Sequence, residues 1–143
     1  MFRFKKERDT GVEIIITEWA LDAYLDLKDR RVFTADEYKN TLRPDALRLR
    51  NYPNDPKFKV QQFWSIAEHP SGHKMSDGFK MKWDKLGSGR IELRLPVAIV
   101  SEAFLCEAYV KENAKYEQRR LARFKTHLQL IRMGRFTERG RLS

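Results

Sequence analysis

Four cations stand at alternate positions on two stretches that read as neighbouring strands: Lys80 and Lys82 on one, Arg90 and Arg94 on the other. If those strands pair, the four side chains converge on one sheet surface within reach of a phosphodiester. Such a surface suits the backbone of a nucleic acid. It could also cleave RNA without a metal, if a base activates a 2′-hydroxyl, an Arg or Lys stabilises charge on the phosphorane and a donor protonates the leaving oxygen. Tyr109, Lys111, Lys115, His69 and His73 are the groups available for proton transfer. Simpler readings stand beside this one. Alternating lysines also fit a solvated strand face, and the two histidines lie in a loop beside Pro70 and Gly72. Arg119, Arg120 and Arg123 also fit i,i+4 pairing with Glu112 and Glu117.

The elements that must position these groups are read from periodicity and punctuation. Val12–Thr17 is rich in β-branched residues and predicts a first strand. Trp19, Ala20, Ala23, Tyr24 and Leu27 then recur at helical spacing. Thr34 and Glu37 have the spacing of a capping box and predict the start of a second helix. Pro44 lacks an amide hydrogen and crowds the carbonyl of Asn40, so that helix should break or kink near Arg43. Residues 58–66 satisfy neither period, with Trp64 read as a core anchor.

Phe79–Trp83 alternates strictly, placing Phe79, Met81 and Trp83 opposite Lys80 and Lys82. Gly87-Ser-Gly89 suits a hairpin, and Arg90–Leu95 alternates again. Pro96 should make that strand an edge, bend it or end it. Ala103–Val110 reads as a last strand. Asn113 then caps a long basic helix with an apolar stripe of Leu121, Phe124, Leu128 and Ile131, which Gly134 ends. Antiparallel hairpins with the helices gathered on one face make an α+β fold.

Composition sets the limits. With 143 residues the chain has room for one compact domain, flanked by a charged leader (1–11) and a basic tail (134–143). The 29 Lys and Arg against 20 Asp and Glu give a net charge of +9, so polyanions are the natural partners. Residues 111–143 hold ten of the cations and three of the anions, which points the argument at the C-terminus. No phosphate-binding Gly-rich loop, His-Glu-x-x-His, Cys-x-x-Cys or Gly-x-Ser-x-Gly occurs, and no small-molecule cofactor or metal is expected. Cys106, the single cysteine, forms no internal disulfide. The longest apolar run, Leu95–Val100, is too short to span a bilayer, and the leader lacks the apolar stretch of a secretory signal, so a cytoplasmic protein is expected.

Gly89-Arg-Ile-Glu-Leu-Arg94, then Phe104-Leu-Cys-Glu-Ala-Tyr-Val-Lys111, then a helix carrying Arg119-Arg-Leu-Ala-Arg-Phe124, resembles the RelE/HigB-like toxins of bacterial type II toxin–antitoxin modules. The resemblance implies an endoribonuclease that cleaves messenger RNA, usually on the ribosome, and that a cognate antitoxin holds silent. Carried over, Arg94 matches the arginine of the family's middle strand, Tyr109 the aromatic of the last strand and Lys111 the first lysine of a Lys-Lys pair, with Arg90 beside them. These four would be catalytic. Lys80, Lys82, Lys115, Arg119, Arg120 and Arg123 would bind the nucleic acid. Glu112 replaces the second lysine, Glu107 stands where histidine is frequent, and Pro96 interrupts the strand after Arg94. ParE-like relatives inhibit DNA gyrase with a similar fold, which leaves a non-catalytic inhibitor, or a basic nucleic-acid-binding module, as alternative readings.

Overall fold

A computed structural model describes residues 11–143; all but the last residue of the charged leader lies outside them. The chain opens with β1 (Ile14–Thr17), whose last residue caps α1 (Glu18–Asp29) by accepting a hydrogen bond from the Ala20 amide. Thr34 and Glu37 form the reciprocal capping box ahead of α2 (Ala35–Glu37). The helical path continues as a π turn (Tyr38–Leu42) into α3 (Arg43–Leu47) and a 3-10 turn (Arg48–Asn51). The π turn is how the chain accommodates Pro44. The Arg43 amide bonds back to Tyr38 O, five residues earlier, and the helix turns through the proline without ending.

β2 (Trp64–Glu68), β3 (Lys74–Lys85) and β4 (Ile91–Val100) form an antiparallel meander. In the turn between β3 and β4, Gly87 and Ser88 both take left-handed backbone angles, with φ of 58° and 65°. β5 (Glu102–Leu105) and β6 (Tyr109–Val110) both pair with β4, and β1 joins β5 in parallel. After α4 (Ala114–Arg132), β7 (Glu138–Arg141) closes the far edge antiparallel to β1. The architecture is therefore α+β, with a mixed sheet of seven strands in the order β2-β3-β4-β5-β1-β7 and β6 set beside β4.

Two expectations are corrected. The helices do not gather on one face. Neighbouring residues of the central strands belong to different cores: Ile14, Val97 and Leu105 pack with α1 to α3, whereas Ile15, Ala98, Phe104 and Cys106 pack with Leu121, Phe124, Leu128 and Ile131 of α4. Strands apolar on both faces need a covering layer on each side. Gly78 lets α4 lie close, since a Cβ there would come within 3.0 Å of the Phe124 ring. Nor does Pro96 end its strand. Its carbonyl accepts the Cys106 amide at 2.9 Å, so its nitrogen faces the same side, where residues 106–108 separate β5 from β6 and no ladder donor is required.

The basic tail is likewise part of the sheet. Arg139 pairs with Glu18 at 2.8 Å, Arg141 pairs with Glu13 at 3.3 Å, and the Leu142 amide bonds to Ile14 O at 2.9 Å. Deleting residues 138–143 should uncover the β1 edge and lower the melting temperature by about 3–6 °C, a loss on the order of 1–2 kcal/mol, measurable by calorimetry. An unchanged melting temperature would show that the strand adds no stability. Among the described residues no helix is long and apolar enough to cross a membrane.

Candidate nucleic-acid interface

The cationic strand positions meet on the α4 side of the sheet, because Met81, Trp83 and Leu93 turn to the opposite core. Register brings Lys82 opposite Arg94, Lys80 opposite Pro96, Ser65 opposite Lys80, and Tyr109 opposite Arg94. The start of α4 covers one side of this polar floor. There Glu117 accepts a hydrogen bond from the Tyr109 hydroxyl at 2.8 Å and lies 3.6 Å from Lys80 Nζ. Between them opens a cleft of about 670 Å³, lined by Ser65, His69, Lys74, Lys80, Lys82 and Glu117 among others.

Not every expected cation faces that cleft. Arg94 is only 5% exposed, and its guanidinium is bound by Asp84 at 2.7 Å, Glu92 at 3.2 Å and the Leu93 carbonyl at 3.2 Å. A phosphate at Arg94 would have to displace these carboxylates, so the structure gives this residue an internal role in place of the expected phosphate contact. Tyr109 is 1% exposed, and burial, followed by the Glu117 carboxylate, pushes its hydroxyl far above the ordinary tyrosine value. That hydroxyl is a buried donor to Glu117.

Arg123 makes two 2.9 Å hydrogen bonds to Glu107. Arg120 lies 3.7 Å from the same carboxylate and stacks over the Tyr109 and Tyr116 rings. Both are thus tied to Glu107, in the link between β5 and β6, and not to Glu112 or Glu117. Lys111 is exposed, 3.9 Å from Glu92. Arg90, Lys115 and Arg119 are exposed and do not line the cleft.

Lys82 is different. It is half-buried and makes no ion pair among the described residues. Burial, and then the neighbouring charges of Lys80 and Arg94, hold its pKa below the ordinary lysine value, against a weaker opposing pull from Asp84 and Glu117. Its neighbours Lys80 and Arg94 are held by Glu117 and by Asp84 and Glu92, so among the described residues Lys82 is the cation on this floor with no carboxylate within ion-pair distance.

The turn from β2 to β3 adds a group the sequence reading had treated only as separate histidines. Ser71 Oγ lies 3.0 Å from His69 Nδ1 and 3.0 Å from His73 Nδ1, and the Ser71 amide donates to His69 Nδ1 at 3.2 Å. That amide makes His69 Nδ1 an acceptor, so the neutral ring carries its proton on Nε2. Asp84 was missed, and Glu117 was read only as a pairing partner for the helix arginines. Asp84 was within reach, since extending the alternation of Phe79–Trp83 by one residue puts it on the lysine face. Glu117 depends on how α4 packs, which no local pattern reports.

Arg94→Ala tests the internal role. Its carboxylate partners are about half exposed and can rehydrate, so the loss should be about 1–2 kcal/mol in urea unfolding, coming from the arginine's own buried bonds and stem. A neutral result would remove it from the framework of the cleft.

The fold and cleft together define a class: an α+β protein with a lysine-floored cleft between a three-stranded meander and a basic helix. Among the described residues, no three or more His, Cys, Asp or Glu side chains are grouped so as to hold a metal ion. Compared with protein-family models, curated proteins and solved structures, the chain finds no match.

Proposed function

We propose that the chain is a RelE/HigB-like toxin that grips the backbone of messenger RNA in the β2–β3–α4 cleft and cleaves it, acting at the ribosome and silenced by an antitoxin. The observation that carries this reading is Lys82, an ammonium with no ion-pair partner among the described residues, beside Lys80 on the floor of an open polar cleft. The order of strand, helices, antiparallel strands and basic helix is the layout that family uses, and supports the same reading.

Cleavage would follow from side chains alone. A base takes the 2′-hydroxyl proton, the 2′-oxygen attacks phosphorus, and the bond to the 5′-oxygen breaks as that oxygen gains a proton, leaving a 2′,3′-cyclic phosphate and a 5′-hydroxyl. Lys82 stabilises the phosphorane charge. His69, which lines the cleft and whose Nδ1 accepts from the Ser71 amide, is the proton-transfer group in place of the buried Tyr109: its Nε2–H protonates the departing 5′-oxygen while a solvent water takes the 2′-hydroxyl proton. Arg94 holds the strands that carry the lysines, and the exposed Arg90, Lys111, Lys115 and Arg119 add positive charge to the surface beyond the cleft.

The deciding experiment supplies purified protein with ribosomes and message. Cleavage that Lys82→Ala and His69→Ala each reduce by about a hundredfold or more, with folding retained, supports the reading. The engagement of Arg94 and Tyr109 with internal partners favours a second reading, a non-catalytic binder of the same shape. Intact RNA with retained affinity would select it, and arrest of supercoiling would point that binder at gyrase.

A further inference from the structure

The opposite side of the sheet holds a second concavity that the RNA reading does not use. A cavity of about 280 Å³ lies between α1, the π turn, α3 and the sheet. Its walls include Leu27, Phe33, Leu42, Trp83, Leu93 and Leu105. The lining also includes three residues with polar groups, Tyr24, Tyr38 and Arg43, and the Tyr38 hydroxyl is hydrogen-bonded to the Arg43 side chain.

Several observations converge on a ligand of one chemistry. Close-packed interiors contain few voids larger than a water molecule, and an apolar cavity of about 150 Å³ suffices for benzene. By that measure this one takes an apolar body of roughly ten or eleven non-hydrogen atoms. The π turn Tyr38–Leu42 contributes wall residues at both of its ends and delivers Arg43 directly after them. Such turns are frequent at functional sites.

The chain also supplies an example of what the site accepts. Leu142 lines the cavity while Arg43 Nη2 donates to the main-chain oxygen of Ser143. A branched aliphatic group and an oxygen acceptor on the guanidinium are the two halves of an amphipathic carboxylate. Tyr38 stands beside Arg43, with a pKa raised by burial and by Tyr24 and drawn down by the arginine.

We propose that this cavity binds one medium-chain monocarboxylate, its hydrocarbon tail among the aliphatic and aromatic walls and its carboxylate on Arg43 in place of the Ser143 oxygen. Arg43 presents paired N–H donors that a carboxylate fills and a neutral hydroxyl does not, so the site discriminates acid from alcohol at equal chain length.

The test uses the full chain, octanoate and 1-octanol, both below the concentrations at which they aggregate. Calorimetry should find one saturable octanoate site per chain, with Trp83 fluorescence reporting the same midpoint, and 1-octanol binding about tenfold more weakly. Arg43→Gln should weaken octanoate about tenfold and leave 1-octanol unchanged, a pattern that simple destabilisation does not produce. Ala108→Leu, which adds bulk at the cavity wall, should abolish both. Lys82→Ala should change neither, so failure of the RNA reading leaves this result standing. Absence of a saturable octanoate site, or equal octanoate affinity in the wild type and Arg43→Gln, overturns the proposal. Binding of an apolar peptide without octanoate binding overturns it in favour of a protein partner.

Discussion

Asp45→Ala should cost about 2–3 kcal/mol of folding stability, read as a shift in the urea midpoint at unchanged slope. Asp45 is 5% exposed and serves as an internal hub. It accepts the Trp83 indole N–H at 2.8 Å, Arg48 Nε at 2.9 Å and Lys57 Nζ at 2.9 Å, joining α3 to β3 and to the 3-10 turn at Pro56–Lys59. Alanine leaves the buried indole donor without an acceptor and two cations without their shared counter-charge, and an unmade buried bond costs more than a made one contributes. Asp45→Asn, which keeps an oxygen for the indole, should lose about half as much.

The acid limb gives an independent readout. Burial alone would raise the Asp45 pKa, but the bonds from Lys57, Trp83 and Arg48 outweigh it, and the carboxyl sits below its ordinary value. The folded pKa is therefore lower than the unfolded one of about 4. Its contribution is complete above that unfolded value and is lost as the pH falls through the lower folded one. Wild-type stability should decline along that limb while Asp45→Ala declines less steeply. Parallel curves would mean that Asp45 has the same pKa folded and unfolded.

Asp45 also illustrates where sequence legibility ends. Local devices were readable because both partners lie within a few residues: the Thr34–Glu37 box, the Asn113 cap, whose Oδ1 receives the Tyr116 amide at 2.8 Å, and the alternation that sorts Lys80 and Lys82 from Met81 and Trp83. Alternation identifies residues that share a face, but not the element that covers it. The apolar runs Ile14–Ile16 and Val97–Val100 signalled strands buried on both sides. Reading them so would have placed α4 opposite α1, where it lies.

Long-range ionic partners were illegible for a related reason. Whether Arg94 meets a phosphate or Asp84 depends on the register that sets Lys82 across from it. Whether residues 138–141 form a tail or a strand depends on the free edge of β1. Both are settled by tertiary pairing between segments whose compositions fit either outcome.

The second large effect concerns the cleft lysines. Lys80→Ala combined with Lys82→Ala should weaken binding to a single-stranded RNA about a hundredfold near 0.1 M salt, and should flatten the slope of log affinity against log salt by about 1.4, the value for two phosphate contacts on a single strand. The slope matters more than the affinity, because a misfolded cleft could lose affinity in many ways but only removal of phosphate contacts reduces ion release by that amount. Glu117→Gln supplies the opposite sign. Its carboxylate is the one that Lys80 approaches at 3.6 Å and Tyr109 donates to at 2.8 Å. An amide oxygen still receives the tyrosine proton, while loss of the charge frees Lys80 and removes a repulsion from the approaching phosphate, so affinity should rise about fivefold. If the double lysine variant binds like the wild type while charge removal at Lys115 and Arg119 abolishes binding, the RNA runs along the outer face of α4. The cleft would then have no part in holding it, and an activity placed at His69 and Lys82 would lose its substrate.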